Sequence, residues 1–466
     1  MDDRKTAIFE RYSIPRAVAV LAVPSAISCL VMVLYNMADT YFVGMLRDPV
    51  QTAGVSLGAT MVLSFNAITN LFGIGASSCM SRALGRKNYE GAKRCASFCF
   101  WLALLCGVII SVGYSVFRTP VLALLGADET TAQATADYLY WTCSWGAVPA
   151  ILNLVLSNMV RSEGETLHAG IGVMSGCLLN IVLDPFLILP QFAGMGAAGA
   201  GAATFLSNCV ACLYLLLIVY LHRKSTIVCL SPRRFGFNKA LALDVFGVGI
   251  PASIQNLLNV TGSLVLNNVA ADFGADAVSA IGIAHRVNLM PMFLAMGITQ
   301  GVMPFVSYNY ASGARKRMKD CILFVLKLTS VITVILAVAL FIFPANVVRL
   351  FLDDEEVVMH GEQLMRAMSL GVPFLTVDFL SVAVYQAIGR GRYALAFAIA
   401  RKLVLEIPAT ILFNRLLPLY GMGYAQLFAE AVLTVAAAFL LRKIFREAPG
   451  TDRPDAREGG SAQSAG

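Results

Sequence analysis

The stretch PSAISCLVMVLYNMADTYFVG, residues 24–44, is apolar enough to lie in a membrane yet carries a carboxylate at Asp39. A transmembrane helix needs about 20 mostly apolar residues, and the apolar run around this stretch extends from residue 16 to 46. A signal-peptide core spans only about 7–15 residues, and this run also holds Asn36 and Asp39. It therefore reads as an uncleaved first membrane helix. Moving outward with the same window gives further spans near 52–80, 94–117, 136–160, 168–190, 195–221, 241–271, 279–309, 320–344, 361–388, 393–415 and 421–443. This predicts an all-α integral membrane protein of twelve transmembrane helices.

Composition agrees with that class. The 466 residues are 58% hydrophobic and 14% charged, whereas a soluble chain is about 45–50% apolar and about 25% charged. That excludes a secreted disulfide scaffold, a disordered chain and a nucleic-acid-binding domain. The net charge of +7 has a topological meaning instead. Loops on the side of the N-terminus hold 26 Lys and Arg, and loops on the other side hold 5. Lys and Arg collect on the cytoplasmic face of membrane proteins. Both termini are thus expected to be cytoplasmic, in a multi-pass protein of the cytoplasmic membrane. Ten of the eleven Cys lie in or beside apolar stretches. Cys209 and Cys212 form a CxxC inside one of them, with no second Cys/His pair at ligand spacing, and read as small buried hydrophobes.

The chain repeats itself. Pro251 of GIP follows Pro24 of AVP by 227 residues, Pro373 of GVP follows Pro149 of AVP by 224, and GMG at 421–423 follows GMG at 194–196 by 227. Six spans per copy keep the copies in one orientation, so two similar six-helix lobes are expected with substrate between them. The expected division is a first lobe over 1–222, a cytoplasmic linker over 223–240, a second lobe over 241–445 and a disordered cytoplasmic tail over 446–466. GMGAAG at 194–199 also fits the dinucleotide pattern GxGxxG, but no strand precedes it and GMGYAQ at 421–426 lacks the third Gly. Close helix approach through small residues is the expected role.

Ionisable groups at membrane depth are costly and mark functional sites. At 1.5 Å per residue, Asp39 lies about 10 Å deep in span 1 and Asp184 about 9 Å deep in span 5. Asn180 is one turn from Asp184 on the same face, and Thr204 lies about 14 Å deep in span 6. These four oxygen-bearing residues share one layer and are the candidate proton or sodium site. Pro24 removes a backbone hydrogen bond fifteen residues before Asp39 and is the candidate hinge. A second polar set, Asn256, Asn259, Arg286, Asp378, Glu406 and Glu430, is expected to line a polar cavity in the second lobe, with Arg286 neutralising the acids.

These residues together resemble the multidrug and toxic compound extrusion (MATE) family: YNMADTYFVG after Pro24, RSEGE after span 4 and NIVLDPFLI in span 5. The likeness covers residues 10–445 and is nearest the branch named after the DNA-damage-inducible protein F. That branch has an Asp in span 1, Asn-x-x-x-Asp in span 5 and Thr in span 6, matched here by Asp39, Asn180, Asp184 and Thr204. The resemblance implies two six-helix lobes in a V and export of small organic, cationic or amphipathic drugs by alternating access. It implies coupling to a proton or sodium ion at those four residues. It also implies no other cofactor, no nucleic-acid partner and a protein functional as a monomer in the lipid bilayer. Another branch carries a Glu in span 7 where Asn259 stands here. Two rival readings stand against this. A lipid-linked sugar flippase would line its cavity with several Arg to hold pyrophosphate. A membrane-embedded enzyme would carry a motif such as HExxH, which does not occur, and no catalytic residues are assigned.

Overall fold

The structure is a computed structural model and describes residues 3–351 and 354–446. The described residues are all helical, without strands. A short helix α1 (Asp3–Glu10) leads into α2 (Ile14–Gly44). Next come α3 (Pro49–Thr69), a π-turn over Asn70–Ile74 and α4 (Gly75–Gly85), which together make one long helix. There follow α5 (Tyr89–Val116), α6 (Arg118–Leu124), α7 (Ala132–Leu139), a π-turn over Tyr140–Trp145, α8 (Ala147–Ser162), α9 (Thr166–Ile188) and α10 (Ala197–Leu221). The second half holds α11 (Lys239–Ala271), α12 (Ala275–Ala311), α13 (Arg315–Ile342), α14 (Pro344–Arg349) and α15 (Glu355–Ala387). It ends with α16 (Gly391–Ile399), a π-turn over Ala400–Glu406, α17 (Ile407–Leu416) and α18 (Gly421–Arg446).

Side-chain caps start several of these helices, because the first backbone N–H groups of a helix lack internal partners. Asp48 Oδ1 accepts from Val50 N at 2.9 Å ahead of α3, Asn88 from Gly91 N at 2.8 Å ahead of α5, and Asp354 from Glu356 N at 3.0 Å ahead of α15. Ten helices among the described residues are long and apolar enough to cross a membrane, and the segments Ala132–Trp145 and Ala147–Ser162, bent by 53°, supply an eleventh span. The expected span at 393–415 is helical throughout 391–416, but Arg401, Lys402 and Glu406 at its π-turn lower its apolarity. The glycine motifs serve close approach. A Cβ on Gly199 would fall 2.3 Å from the Leu187 carbonyl oxygen, and one on Gly421 2.1 Å from that of Phe413. All eleven Cys are free thiols. The tail expected to be disordered lies, from residue 447, outside the described residues.

The two halves of the chain meet through helix segments on the side of the basic loops or near mid-height. Arg82 Nη1 of α4 lies 2.8 Å from Asp244 Oδ1 of α11, and Ser78 Oγ donates to the Gln386 carbonyl at 2.6 Å. Gly297 and Gly301 of α12 lie against Ala26, Ser25 and Leu21 of α2, where a Cβ would clash. Gly249 rests on the Leu71 carbonyl, which a Cβ would approach to 2.0 Å. The N-terminal segment adds a wedge. Phe9 is fully buried and stacked on Tyr308 at 4.8 Å, and the Tyr308 hydroxyl donates to Glu10 at 2.6 Å.

The connection over 223–240 is strapped to the first half. Glu163, nearly fully buried, accepts from Thr226 Oγ1 at 2.8 Å and from Ile227 N at 3.0 Å. Trp101 Nε1 donates to the Leu230 carbonyl at 3.1 Å, and Ser97 Oγ to that of Ser231 at 2.9 Å. Phe235 stacks on Phe98 at 6.2 Å.

Candidate functional site

Three helices of the first half carry the first polar layer, and glycines on α9 let them close on one another. A Cβ on Gly170 would lie 3.0 Å from the Pro24 carbonyl of α2. On the face toward α10, one on Gly172 would lie 2.7 Å from Leu215, and one on Gly176 3.0 Å from Ala211 Cβ. Gly172 and Gly176 form a GxxxG step, a spacing that brings helix backbones together. That approach sets Asn180 and Asp184 of α9 against Thr204 of α10, with Asp39 of α2 close enough to interact electrostatically with Asp184.

Asp184 is fully buried and Asn180 nearly so. The Asn180 carboxamide makes its full set of contacts with the NH2 group toward Asp184. Nδ2 then donates to Oδ2 at 2.9 Å and Oδ1 at 3.3 Å, while the amide oxygen accepts from Thr204 N at 3.1 Å. The reverse orientation leaves only a 3.4 Å contact from Nδ2 to Thr204 Oγ1. One oxygen of Asp39 is buried without a hydrogen-bond partner. Tyr35, one turn before Asp39, reaches Thr204, and buried Tyr138 stands near both Asp39 and Asp184. The polar contacts continue along α10. Asn208 Nδ2 donates to the Thr204 carbonyl at 2.8 Å, and Asn153 Nδ2 of α8 to Asn208 Oδ1 at 3.3 Å. The structure thus gathers Asp39, Asn180, Asp184 and Thr204 as the sequence suggests, and adds Tyr35 and Tyr138. Tyr35 was legible from its i,i+4 spacing to Asp39, whereas Tyr138 has no signal in the sequence.

The second half holds charged groups of both signs. Arg401 Nη2 lies 2.5 Å from Oε1 of fully buried Glu430. Asp378, 3% exposed, stands beside this pair, and neither of its oxygens has a hydrogen-bond partner. Lys402 Nζ lies 2.5 Å from Glu406 Oε1 one turn along the same π-turn. A small cavity is lined by His285, Asn288, Arg401, Lys402, Glu406 and Gln426 among others. A neighbouring one is lined by Asn259, Asp378, Arg401 and Lys402 among others. Asn256 is half-buried, with its side-chain oxygen unpartnered. The expected role of Arg286 is not met. Its side chain is exposed on α12, and the acids face Arg401 and Lys402 instead. Arg286 emerges on the outward side of α12, while Arg401 and Lys402 leave the π-turn over Ala400–Glu406 beside the acids and compensate them.

The first layer offers two carboxylates, a carboxamide and a hydroxyl, the chemistry of a proton or hard-cation site. No cluster of three or more His, Cys, Asp or Glu able to hold a metal occurs among the described residues. Comparison with known proteins places these features in context. The sequence model of the MatE family matches twice, over residues 24–186 and 251–412, starting 227 residues apart as in the internal repeat. The chain is 31% identical to the multidrug export protein MepA of Staphylococcus aureus (strain MRSA252) over 98% of its own length and 100% of the relative's. It is 31% identical to MepA of Staphylococcus haemolyticus (strain JCSC1435) over 95% and 96%. Among solved structures, an outward-facing multidrug resistance MATE family transporter of the MOP superfamily superposes with a TM-score of 0.90 at 24% identity, over 96% of this chain and 98% of that one. A MATE protein in the straight conformation superposes with a TM-score of 0.89, also at 24% identity, over 96% and 99%.

Proposed function

This chain belongs to the MATE family, and on that premise we propose that it exports small organic drugs, chiefly cationic ones, across the cytoplasmic membrane in exchange for protons. The multidrug export named for its MepA relatives supports the substrate class. The residue pattern at Asp39, Asn180, Asp184 and Thr204 supports the narrower likeness to the branch of the DNA-damage-inducible protein F. Residues 1–222 and 241–445 are the two moving lobes, joined by 223–240 and working within one monomer. Both termini face the cytoplasm, as the basic loops favour. The bridges on the basic-loop side, Arg82–Asp244 and Ser78–Gln386 among them, then close the cytoplasmic face and leave the outer face as the open one.

The observation that carries ion coupling is the pair of buried carboxyls, Asp184 fully buried and Asp39 with a buried oxygen that no hydrogen-bond donor reaches. A proton on either carboxyl removes the cost of two neighbouring buried charges. Protonation of Asp39 and Asp184 from outside removes their mutual repulsion and lets α2 pack closer to α9 and α10, bending near Pro24. That narrows the first-lobe cavity and expels drug outward. One charge crossing 100 mV contributes about 2.3 kcal/mol, enough to bias such a two-state change. Arg401 and Lys402 line the second-lobe cavities, but each faces a carboxylate, which favours drug export over a pyrophosphate-binding flippase. The test is efflux of a fluorescent organic cation from vesicles under imposed proton or sodium gradients. Proton-driven efflux that ignores sodium is expected, and efflux driven by sodium alone overturns proton coupling.

A further inference from the structure

Three arginines, Arg82, Arg161 and Arg401, are buried among the described residues. Asp244 compensates Arg82, and Glu430 compensates Arg401. Arg161, at the end of α8 and 5% exposed, has no carboxylate partner among the described residues. Its Nη1 donates to Gln300 Oε1 of α12 at 3.4 Å, and its Nε has no partner. The ionisable side chain near enough to act on it is Cys29 of α2, and a thiol is uncharged at neutral pH. Ser25 stands one turn before Cys29 on the same face of α2. It is fully buried, and its hydroxyl also lacks a partner.

A buried charge is costly unless it is paired. A buried lysine escapes that cost by giving up its proton, but a guanidinium in a protein stays protonated. The Gln300 amide lies at the long end of hydrogen-bond distance and supplies a dipole in place of a full negative charge. One unit of negative charge is therefore wanting beside Arg161. The setting is narrow. Gly297 and Gly301 bring α12 so close to α2 that a Cβ would fall 2.7 Å from Ala26 Cα and 2.9 Å from Ser25 Oγ. That spacing suits a monatomic ion and leaves no width for an organic anion. We propose that Arg161, Gln300 and Ser25 form a binding site for a small monovalent anion of the halide class, with Arg161 Nε and the Ser25 hydroxyl as its donors. An anion held there ties α8 of the first half to α12 of the second. The site is separate from the first-lobe carboxylates, and its occupancy is measured without transport.

The full chain, purified in detergent, tests this with chloride exchanged for gluconate at constant ionic strength. Saturable broadening of the chlorine NMR resonance is expected, reversed by bromide. The thermal unfolding midpoint should rise with chloride, because a ligand of the folded state stabilises it. Arg161→Gln should weaken chloride binding at least about tenfold through loss of a charged hydrogen bond. Gln300→Glu places the wanting carboxylate within the chain. It should abolish the broadening and make the midpoint indifferent to chloride. Absence of saturable broadening in the unsubstituted chain overturns the proposal, as does undiminished binding in Arg161→Gln. Chloride binding retained by Gln300→Glu overturns it as well, whether or not Arg161→Gln accumulates.

Discussion

Asp184 has Asn180 as its hydrogen-bond donor, while Asp39 keeps a buried oxygen without one. Asp39→Asn and Asp184→Asn each preserve shape while removing a titratable carboxyl. Both variants are expected to accumulate and to bind drug, yet to lose proton-driven efflux, and vesicle assays at fixed gradient check this. Full efflux from Asp39→Asn would move the coupling role to the second half. Arg401 poses the opposite case, because its guanidinium sits against fully buried Glu430 with Asp378 alongside. Removing one member of a buried ion pair costs about 3–5 kcal/mol. Arg401→Met should therefore lower the thermal unfolding midpoint measurably, and Glu430→Gln introduced on that background should restore part of the loss. An unchanged midpoint in Arg401→Met would show the pair to be structurally idle. The first-half layer was legible in the sequence because acids at membrane depth are rare and their depths can be counted. The partner of Glu430 was not, because depth says nothing about azimuth, and the π-turn at Ala400–Glu406 changes the face on which Arg401 and Lys402 emerge.

Helix α2 shows what an element adds to its residues. It runs unbroken from Ile14 to Gly44 with Pro24 inside it, and the Pro24 carbonyl is the point against which Gly170 of α9 rests. Proline leaves the carbonyl four residues earlier without its helical partner, which makes bending easier at that level. Pro24→Ala restores that bond. It should leave the folded yield and unfolding midpoint close to those of the original chain while slowing drug efflux severalfold. Efflux at the original rate would remove Pro24 from the mechanism. The span pattern was readable for the same reason the fold is simple, since backbone in lipid must satisfy itself within helices. The window gave the uneven member, 391–416, its place but not its character. An interrupted hydrogen-bond ladder is a matter of local geometry that apolarity does not record. The GxxxG step at Gly172 and Gly176 was in view and would have predicted the tight approach of α9 and α10.

At the scale of the whole molecule, closure on the basic-loop side depends on a few polar bridges set among glycine contacts. Arg82 is almost buried, with its side chain 7% exposed, and Asp244 is the carboxylate that compensates it. Asp244→Asn leaves that guanidinium uncompensated only while the two halves are closed there. Its expected effect is a larger population with this side open, read as longer distances between spin labels at residues 87 and 316, with drug binding retained. Distances that do not change would show that the bridge contributes nothing to the equilibrium between states. The internal repeat predicted two alike halves. It could not foretell these bridges, because they join positions that have no counterpart relation in the repeat. The strap over 226–231 has its own consequence for how the chain can be divided. Because Glu163, Ser97 and Trp101 hold it, the strap belongs to the first half, and the joint to α11 shrinks to the few residues around Gly236, where Phe235 and Phe237 both reach the Phe98 ring. A gene cut after codon 236 should therefore yield two polypeptides that find each other in the membrane and restore efflux. A cut after codon 224 strands the strap on the wrong fragment, removes the Thr226 and Ile227 donors from the fragment that holds Glu163, and should recover far less.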